Sequence, residues 1–314
     1  MSDPVLVDAG VSLSDAFHLR PAMKALARKE RRIYISTAWP QVFRDISCAG
    51  FVRPDESAVR TAAQRRNIER MAWVDSPQNP TVLRGEYTSY RLIVGETLSM
   101  AMESALGVRG DAQVEDFRFH PDPKWIPEHA IRKLDPKKHW GIVHPPTLRK
   151  EFPNHARSPF PLYIQRIVEN TPWIDWISIA SLDEDEELID GKPIGGVKLR
   201  FDHGELSIEE IFGLMSMASI VLSGPCFMIP AACAIGTPGF FVFGGYMHPT
   251  TVIDPRASKF ARWVAPYPFC NCKKHDHGCR KVIGLRKVTQ AFGKFIRDFI
   301  YPINPKDGRK YFEM

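Results

Sequence analysis

Between Leu206 and Ala218 the apolar residues recur at helical spacing, and Ser207 with Glu210 has the form of a capping box at a helix start. Ile220-Val221-Leu222 is short, apolar and β-branched, which predicts a buried parallel strand. Ser223-Gly224-Pro225 breaks the run. A small-residue helix from about Cys226 to Ile235 follows, stopped by Gly236, and Phe240-Phe241-Val242-Phe243 is a second buried strand closed by Gly244-Gly245. Helix, strand, tight turn, helix, strand is the order of an open α/β sheet. Such sheets bind ligands beyond the carboxyl ends of their strands. The Ser223-Gly224 turn lies at such an end and opens a helix whose free N–H groups favour an anion. A phosphate-bearing ligand is therefore expected at Ser223–Cys226.

The same order opens the chain. Pro4 to Ala9 reads as a strand, Gly10 to Asp15 as a polar turn, Ala16 to about Arg28 as a helix and Arg32 to Ser36 as the next strand. Helices are expected over 55–72 and 91–106, and a brief strand over 117–119. Pro121, Pro123 and Pro127 then mark a linker. Beyond it, strands are expected at Trp140–His144, Trp176–Ala180 and Val197–Phe201. A helix is expected at Leu162–Val168, and a last helix from Val288 to Tyr301. The pattern predicts an α/β protein of two Rossmann-like halves. Residues 1–130 form the first and 131–314 the second, with the last helix free to pack back on the first half.

Charge adds one feature. The net charge is +6, and Lys273 to Glu313 holds 11 Lys and Arg against 4 Asp and Glu, so the tail carries the excess. A basic tail suits phosphates of a nucleotide, a nucleic acid or an anionic lipid head group. The opposite run, Asp183 to Glu187, reads as an exposed acidic loop. No apolar run approaches the roughly 20 residues of a membrane span, and the first residues lack the form of a signal peptide. A cytoplasmic protein is expected, with peripheral contact to a membrane left open.

Three groups of residues could carry chemistry. Asp15 sits where a strand's carboxyl end meets a helix start, a position that keeps a carboxylate ionised and able to take a proton; its alternative role is a simple helix cap. Ser14 and His18 could face the same cleft. After the first strand of the second half come Thr147, Arg149 and Lys150, with Arg157 further along the loop. A hydroxyl and planar guanidinium forks suit a leaving diphosphate. Cys270, Cys272 and Cys279 with His275 and His277 leave a metal open, although the tight Cys-x-Cys spacing argues for a plain structural loop. Walker, G-x-S-x-G, H-E-x-x-H and G-x-G-x-x-G motifs are all absent.

The segments Ser12-Leu13-Ser14-Asp15-Ala16-Phe17-His18-Leu19-Arg20-Pro21-Ala22-Met23 and Ser223-Gly224-Pro225 through Gly236-Thr237-Pro238, with the cysteine cluster before a last helix, resemble glycosyltransferase family 9, the heptosyltransferase-like group. The chain departs from that pattern at Ser14, Leu222 and Cys226-Phe227, where the family has Gly, Asp and a nearby His. The resemblance implies a GT-B architecture and an inverting transfer of sugar from a nucleotide-diphosphate sugar to an acceptor hydroxyl. Asp15 would be the base. Thr147, Arg149, Arg157, Ser223, Gly224 and Pro225 would hold the donor. It implies no resident cofactor and no obligatory metal, the nucleotide sugar being a co-substrate, and a lipopolysaccharide-type glycan or lipid acceptor. The basic stretches also permit DNA bearing a hydroxylated base, as in viral genome modification. A non-catalytic nucleotide-sugar-binding protein is the remaining alternative.

Overall fold

A computed structural model of the chain describes residues 3–30, 32–150, 156–269 and 281–301. Its strands are β1 (Val5–Asp8), β2 (Ile33–Ser36), β3 (Gly50–Val52), β4 (Thr81–Arg84), β5 (His139–Val143), β6 (Thr147–Arg149), β7 (Ile174–Ile179), β8 (Glu187–Ile189), β9 (Leu199–Phe201), β10 (Ile220–Ser223), β11 (Gly239–Val242) and β12 (Ala261–Val264). The α-helices are α1 (Leu13–Lys29), α2 (Ala62–Arg70), α3 (Ser89–Ile93), α4 (Leu98–Ala105), α5 (Glu128–Ile131), α6 (Pro161–Glu169), α7 (Ile208–Met217), α8 (Met228–Ile235), α9 (Pro249–Val252) and α10 (Leu285–Phe295).

Two parallel sheets organise them. The first has strand order β3-β2-β1-β4, and the second β12-β11-β10-β5-β7-β9. Every residue of β7, β10 and β11 is buried, as parallel strands covered by helices on both faces require. Gly141 and Gly239 leave room for Trp176 and Phe241, whose rings a Cβ would strike.

The seam between the halves is apolar on one side. Phe17 of α1, Phe119 and Phe212 of α7 meet edge to face at centroid separations of 5.3–5.6 Å, with Trp125 tilted against two of them. Alongside, Arg256 donates to Glu103 (2.7 Å) and to Asp254, and Thr97 donates to Asp254 (2.8 Å). Glu103 and Asp254 are fully buried.

Several elements differ from the pattern's prediction. Helix α1 starts at Leu13 and runs through Pro21, because eleven of its seventeen residues are buried and packing outweighs the missing N–H. The expected helix over 91–106 is two helices, broken at Gly95 (φ +96°) and restarted by a Thr97 cap. Residues 117–119 form no strand: Phe117 ends a 3₁₀ turn, and Phe119 donates its N–H to the Ala234 carbonyl. Thr147–Arg149 pairs antiparallel with Glu187–Ile189, and the acidic run before β8 is a tight turn closed by the Asp183–Glu187 bridge. The last described helix, α10, does not pack back on the first half. Its Val288, Phe292 and Phe295 enter the core around Phe240 of the second sheet, because its apolar stripe matches that face. The cysteine cluster of residues 270–279 lies outside the described residues.

Candidate active site

Strand β1 ends at Asp8, and Gly10 (φ +65°) turns the chain into α1. Ser12, not Asp15, is the cap: its hydroxyl accepts from the Asp15 N–H at 3.3 Å. Asp15 therefore sits in the first helical turn, where it lines the cleft shared with the neighbouring half. Burial pushes its carboxyl above the ordinary carboxylate value, and the Ser12 hydrogen bond and the Arg157 charge only partly oppose this. Burial thus outweighs the helix-dipole effect, and Asp15 becomes the stronger base.

Across from Asp15, the second sheet offers three segments. The turn after β10 leads into α8, whose N-cap residue makes no side-chain cap; in its first turn the Ile229 N–H donates to the Cys226 carbonyl (3.2 Å) and Pro230 has no N–H. A Cβ at Gly224 would lie 2.7 Å from Pro159, so only glycine keeps the turn this close to the loop carrying Arg157. That loop is fixed from two further sides. Tyr246 N–H donates to the Ala156 carbonyl (3.1 Å), and the Ser158 hydroxyl donates to the Thr147 carbonyl (3.0 Å). Gly244 sits under the same loop, where a Cβ would overlap the carbonyls of Ala156, Arg157 and Ser158. The antiparallel β6–β8 pair is the third segment. Thr147 donates its hydroxyl to Glu187, and Glu187 lies 4.0 Å from Arg149.

These segments enclose a cleft of about 760 Å³ between the halves, of the size that holds small-molecule ligands. Ser14, Asp15, Thr147, Arg149, Arg157, Gly224 and Pro225 all line it. Two expected members do not. His18 is buried, with Nδ1 3.4 Å from Ser99 Oγ and Nε2 without a partner, and burial lowers its pKa to about 4. One helical turn past Asp15, it points into the helix layer instead of the cleft. The Ser223 side chain is wholly buried, because the last residue of a four-residue strand buried throughout still belongs to the core. Its contribution is the backbone that launches the turn.

Other residues of the cleft gave weaker signals. Tyr87 lines it beside Asp15 and also lines a second cavity of about 280 Å³ with Asp8, Gly10 and Glu86. Burial and the Asp15 charge push the Tyr87 phenol well up, so it stays protonated. His144 extends β5 into the cleft floor; its Nδ1 lies 2.8 Å from the Pro145 carbonyl, and burial lowers its pKa. Arg60, Arg66 and Arg70 enter from α2 and its approach.

No protein-family model matches the sequence, and no curated protein matches it. Solved structures do. The E. coli ADP-heptose lipopolysaccharide heptosyltransferase II superposes with a TM-score of 0.59 at 10% identity, over 94% of this chain and 99% of that one. A glycosyltransferase family 9 structure from Veillonella parvula gives 0.57 at 10% identity, over 94% and 97%. The dodecameric, iron-containing E. coli heptosyltransferase TibC in complex with ADP-D-β-D-heptose gives 0.59 at 13% identity, over 95% and 77%. The fold is GT-B. Within the GT-B frame, Asp15 projects from the first half, while Arg157 and the α8 N-terminus face it from the second. Among the described residues, no helix is long and apolar enough to cross a membrane.

Proposed function

We propose that the chain is an inverting glycosyltransferase that moves a sugar from a nucleotide-diphosphate sugar to an acceptor hydroxyl. The observation that carries this is the facing of two groups across one cleft: a carboxylate of raised basicity on the first half, and a cation beside an uncapped helix N-terminus on the second. Residues 1–130 serve the acceptor and 131–314 the donor. The diphosphate lies on Arg157, Arg149 and the Gly224 and Cys226 amides. Thr147 joins them by turning its hydroxyl from Glu187, and Ser14 flanks the acceptor side. As the acceptor oxygen attacks the anomeric carbon, Asp15 takes its proton. The bond to the leaving diphosphate breaks on the opposite face, where the cations and amides stabilise the growing charge. They do this without an obligatory metal or resident cofactor, so turnover in excess EDTA is expected to persist.

A lipopolysaccharide-type glycan is the acceptor this reading favours, in keeping with the lipopolysaccharide named for one structural neighbour, and a cytoplasmic location goes with a nucleotide-sugar donor. The test has two parts. A panel of sugar nucleotides is screened by thermal shift, where a ligand at 100 times its Kd stabilises by about 2.7 kcal/mol. Transfer or donor hydrolysis is then measured for Asp15→Asn. Turnover is expected to fall by about 10²–10⁴-fold with donor binding kept. Near-normal turnover in that variant would remove Asp15 as the base. Tight binding with neither transfer nor hydrolysis would leave a nucleotide-sugar-binding protein.

A further inference from the structure

The cleft does not end at Arg157 and the Gly224 turn. It continues past Ile179 and Ser181 at the end of β7 and Gly204 beyond β9, to the start of α7 and to α2 of the first half. In strand order this arm runs from β10 and β5 outward to β7 and β9, away from β11. Leu206, Ile208 and Ile211 give it apolar surface. Helix α2 is tied down over it by the second half: the Ala62 N–H and Arg65 both donate to Glu186, and Arg70 donates to Glu209.

Between those two ties, Arg66 reaches across the arm. Its Nη2 lies 3.4 Å from the Ser181 hydroxyl, and the guanidinium rests on Gly204, where a Cβ would overlap Nη2. Gly204 also has φ +74°, so both the backbone and the close approach call for glycine. The amide side chains that line the cleft are engaged elsewhere. Gln64 donates to the Val11 carbonyl (2.8 Å) and accepts from the Arg60 and Thr61 N–H groups (2.7 and 2.9 Å). Asn67 donates to the Ala38 carbonyl (2.6 Å) and accepts from Gln41 and Arg70 (both 2.8 Å). The carboxylates among the described lining residues are Asp15 and Glu187, and Glu187 already takes the Thr147 hydroxyl.

We infer that Arg66 reads the donor's nucleobase across the cleft and selects a base whose edge carries carbonyl oxygens (guanine, uracil or thymine) over adenine. The inference rests on the proposed glycosyl transfer, which sets the sugar at Asp15 and the diphosphate at Arg157 and leaves this arm for the nucleoside. Asp15 and Tyr87 also line the second cavity, so the acceptor's approach lies on the first half, beside Asp8 and Glu86. A guanidinium has N–H donors in a fixed fork and no acceptor. Guanine offers O6 and N7 side by side to such a fork, and uracil and thymine offer O4. Adenine sets its N6 amine next to N7, so one N–H of the fork would face another donor. The side chains that suit adenine are Asn and Gln, and Gln64 and Asn67 are occupied. The apolar surface of Leu206, Ile208 and Ile211 suits the flat face of any base, so Arg66 supplies the discrimination. Arg66 is a specificity residue and takes no part in the bond changes.

The experiment is calorimetric titration of the full chain with GDP, UDP, dTDP, ADP and inorganic pyrophosphate, repeated for Arg66→Gln and Arg66→Lys. At least one of GDP, UDP and dTDP is expected to bind about tenfold or more tighter than ADP, the discrimination a well-placed fork gives; which of the three it is names the base. In Arg66→Gln that preference should vanish, because a glutamine amide matches adenine. In Arg66→Lys, which keeps the charge and loses the fork, it should shrink. Pyrophosphate, which has no base, should bind all three chains alike and shows that the variants are folded. ADP binding as tightly as the best of the others overturns the inference. So does a preference that survives both substitutions, or an equal loss for every nucleotide, which would make Arg66 a mere tie between the halves. Failure of all the nucleotides and of pyrophosphate to bind the unmodified chain would instead count against the glycosyltransferase reading on which the inference rests.

Discussion

Asp15 is the residue on which the proposed chemistry rests, and its environment has a measurable cost. Its folded pKa is raised by burial. A raised carboxyl binds its proton more tightly in the folded state. Its contribution to stability is therefore present below the unfolded value and is lost as pH rises through the folded one. Asp15→Asn removes the buried charge, so its Tm should exceed that of the unmodified chain at pH 7. The gap should close as pH falls below the raised pKa. A base must be ionised, so turnover should fall on the acid side with a midpoint above the ordinary carboxylate value; a lower midpoint would contradict the burial argument. Gly244 is a second residue-scale test. In Gly244→Ala the methyl pushes on the backbone that carries Arg157. Nucleoside-diphosphate affinity is expected to drop about tenfold, since a charge-assisted contact contributes about 1.5–3 kcal/mol. Asp15 and the Arg157 loop could be placed from sequence because polar residues at strand ends face outward in an α/β sheet. His18 and Ser223 could not, because their direction depends on which helix or strand layer covers them.

At the scale of elements, the parallel strands and most helices were legible, since β7, β10 and β11 are apolar runs bounded by Gly and Pro. The Ser207 capping box is present as read, with both reciprocal hydrogen bonds. The antiparallel β6–β8 pair, with the acidic turn that leads into β8, was not legible. Its acidic turn looks like a solvated loop until Arg65 of α2 and the Ala62 N–H are seen to take Glu186, with Thr147 donating to Glu187. Partners more than a hundred residues away leave no local trace. The two pieces of the expected 91–106 helix were hidden for another reason: Gly95 and Thr97 are tolerated inside a helical pattern, and tertiary packing decides whether they break it. The Ser12 cap of α1 gives the element-scale prediction. Ser12→Ala should lower stability by about 1 kcal/mol in chemical denaturation, the usual cost of a lost cap. It should also raise the Asp15 pKa further, because the Ser12 hydrogen bond is the largest influence holding it down. A pH–turnover limb that fails to move toward neutrality would show that the hydroxyl does not tune the base.

For the molecule as a whole, the two sides of the seam between the halves are made of different material. One side is dry, with Phe17, Phe119 and Phe212 and the Arg256 clasp on Glu103 and Asp254. Arg256→Ala would leave two buried carboxylates unpaired, so a loss of about 3–5 kcal/mol is expected in denaturant unfolding. The other side is wet, with Arg65 on Glu186 and Arg70 on Glu209, the arginines half exposed. A double-mutant cycle on Arg70 and Glu209 should give a coupling under about 1 kcal/mol. Dissolved ions therefore act on the two sides unequally. Added salt slackens the wet bridges and leaves the dry spine unchanged, so the halves should part like covers on a binding, and small-angle scattering should register a larger radius without any loss of helix signal. The ionic strength around this protein would then set how often its cleft stands open.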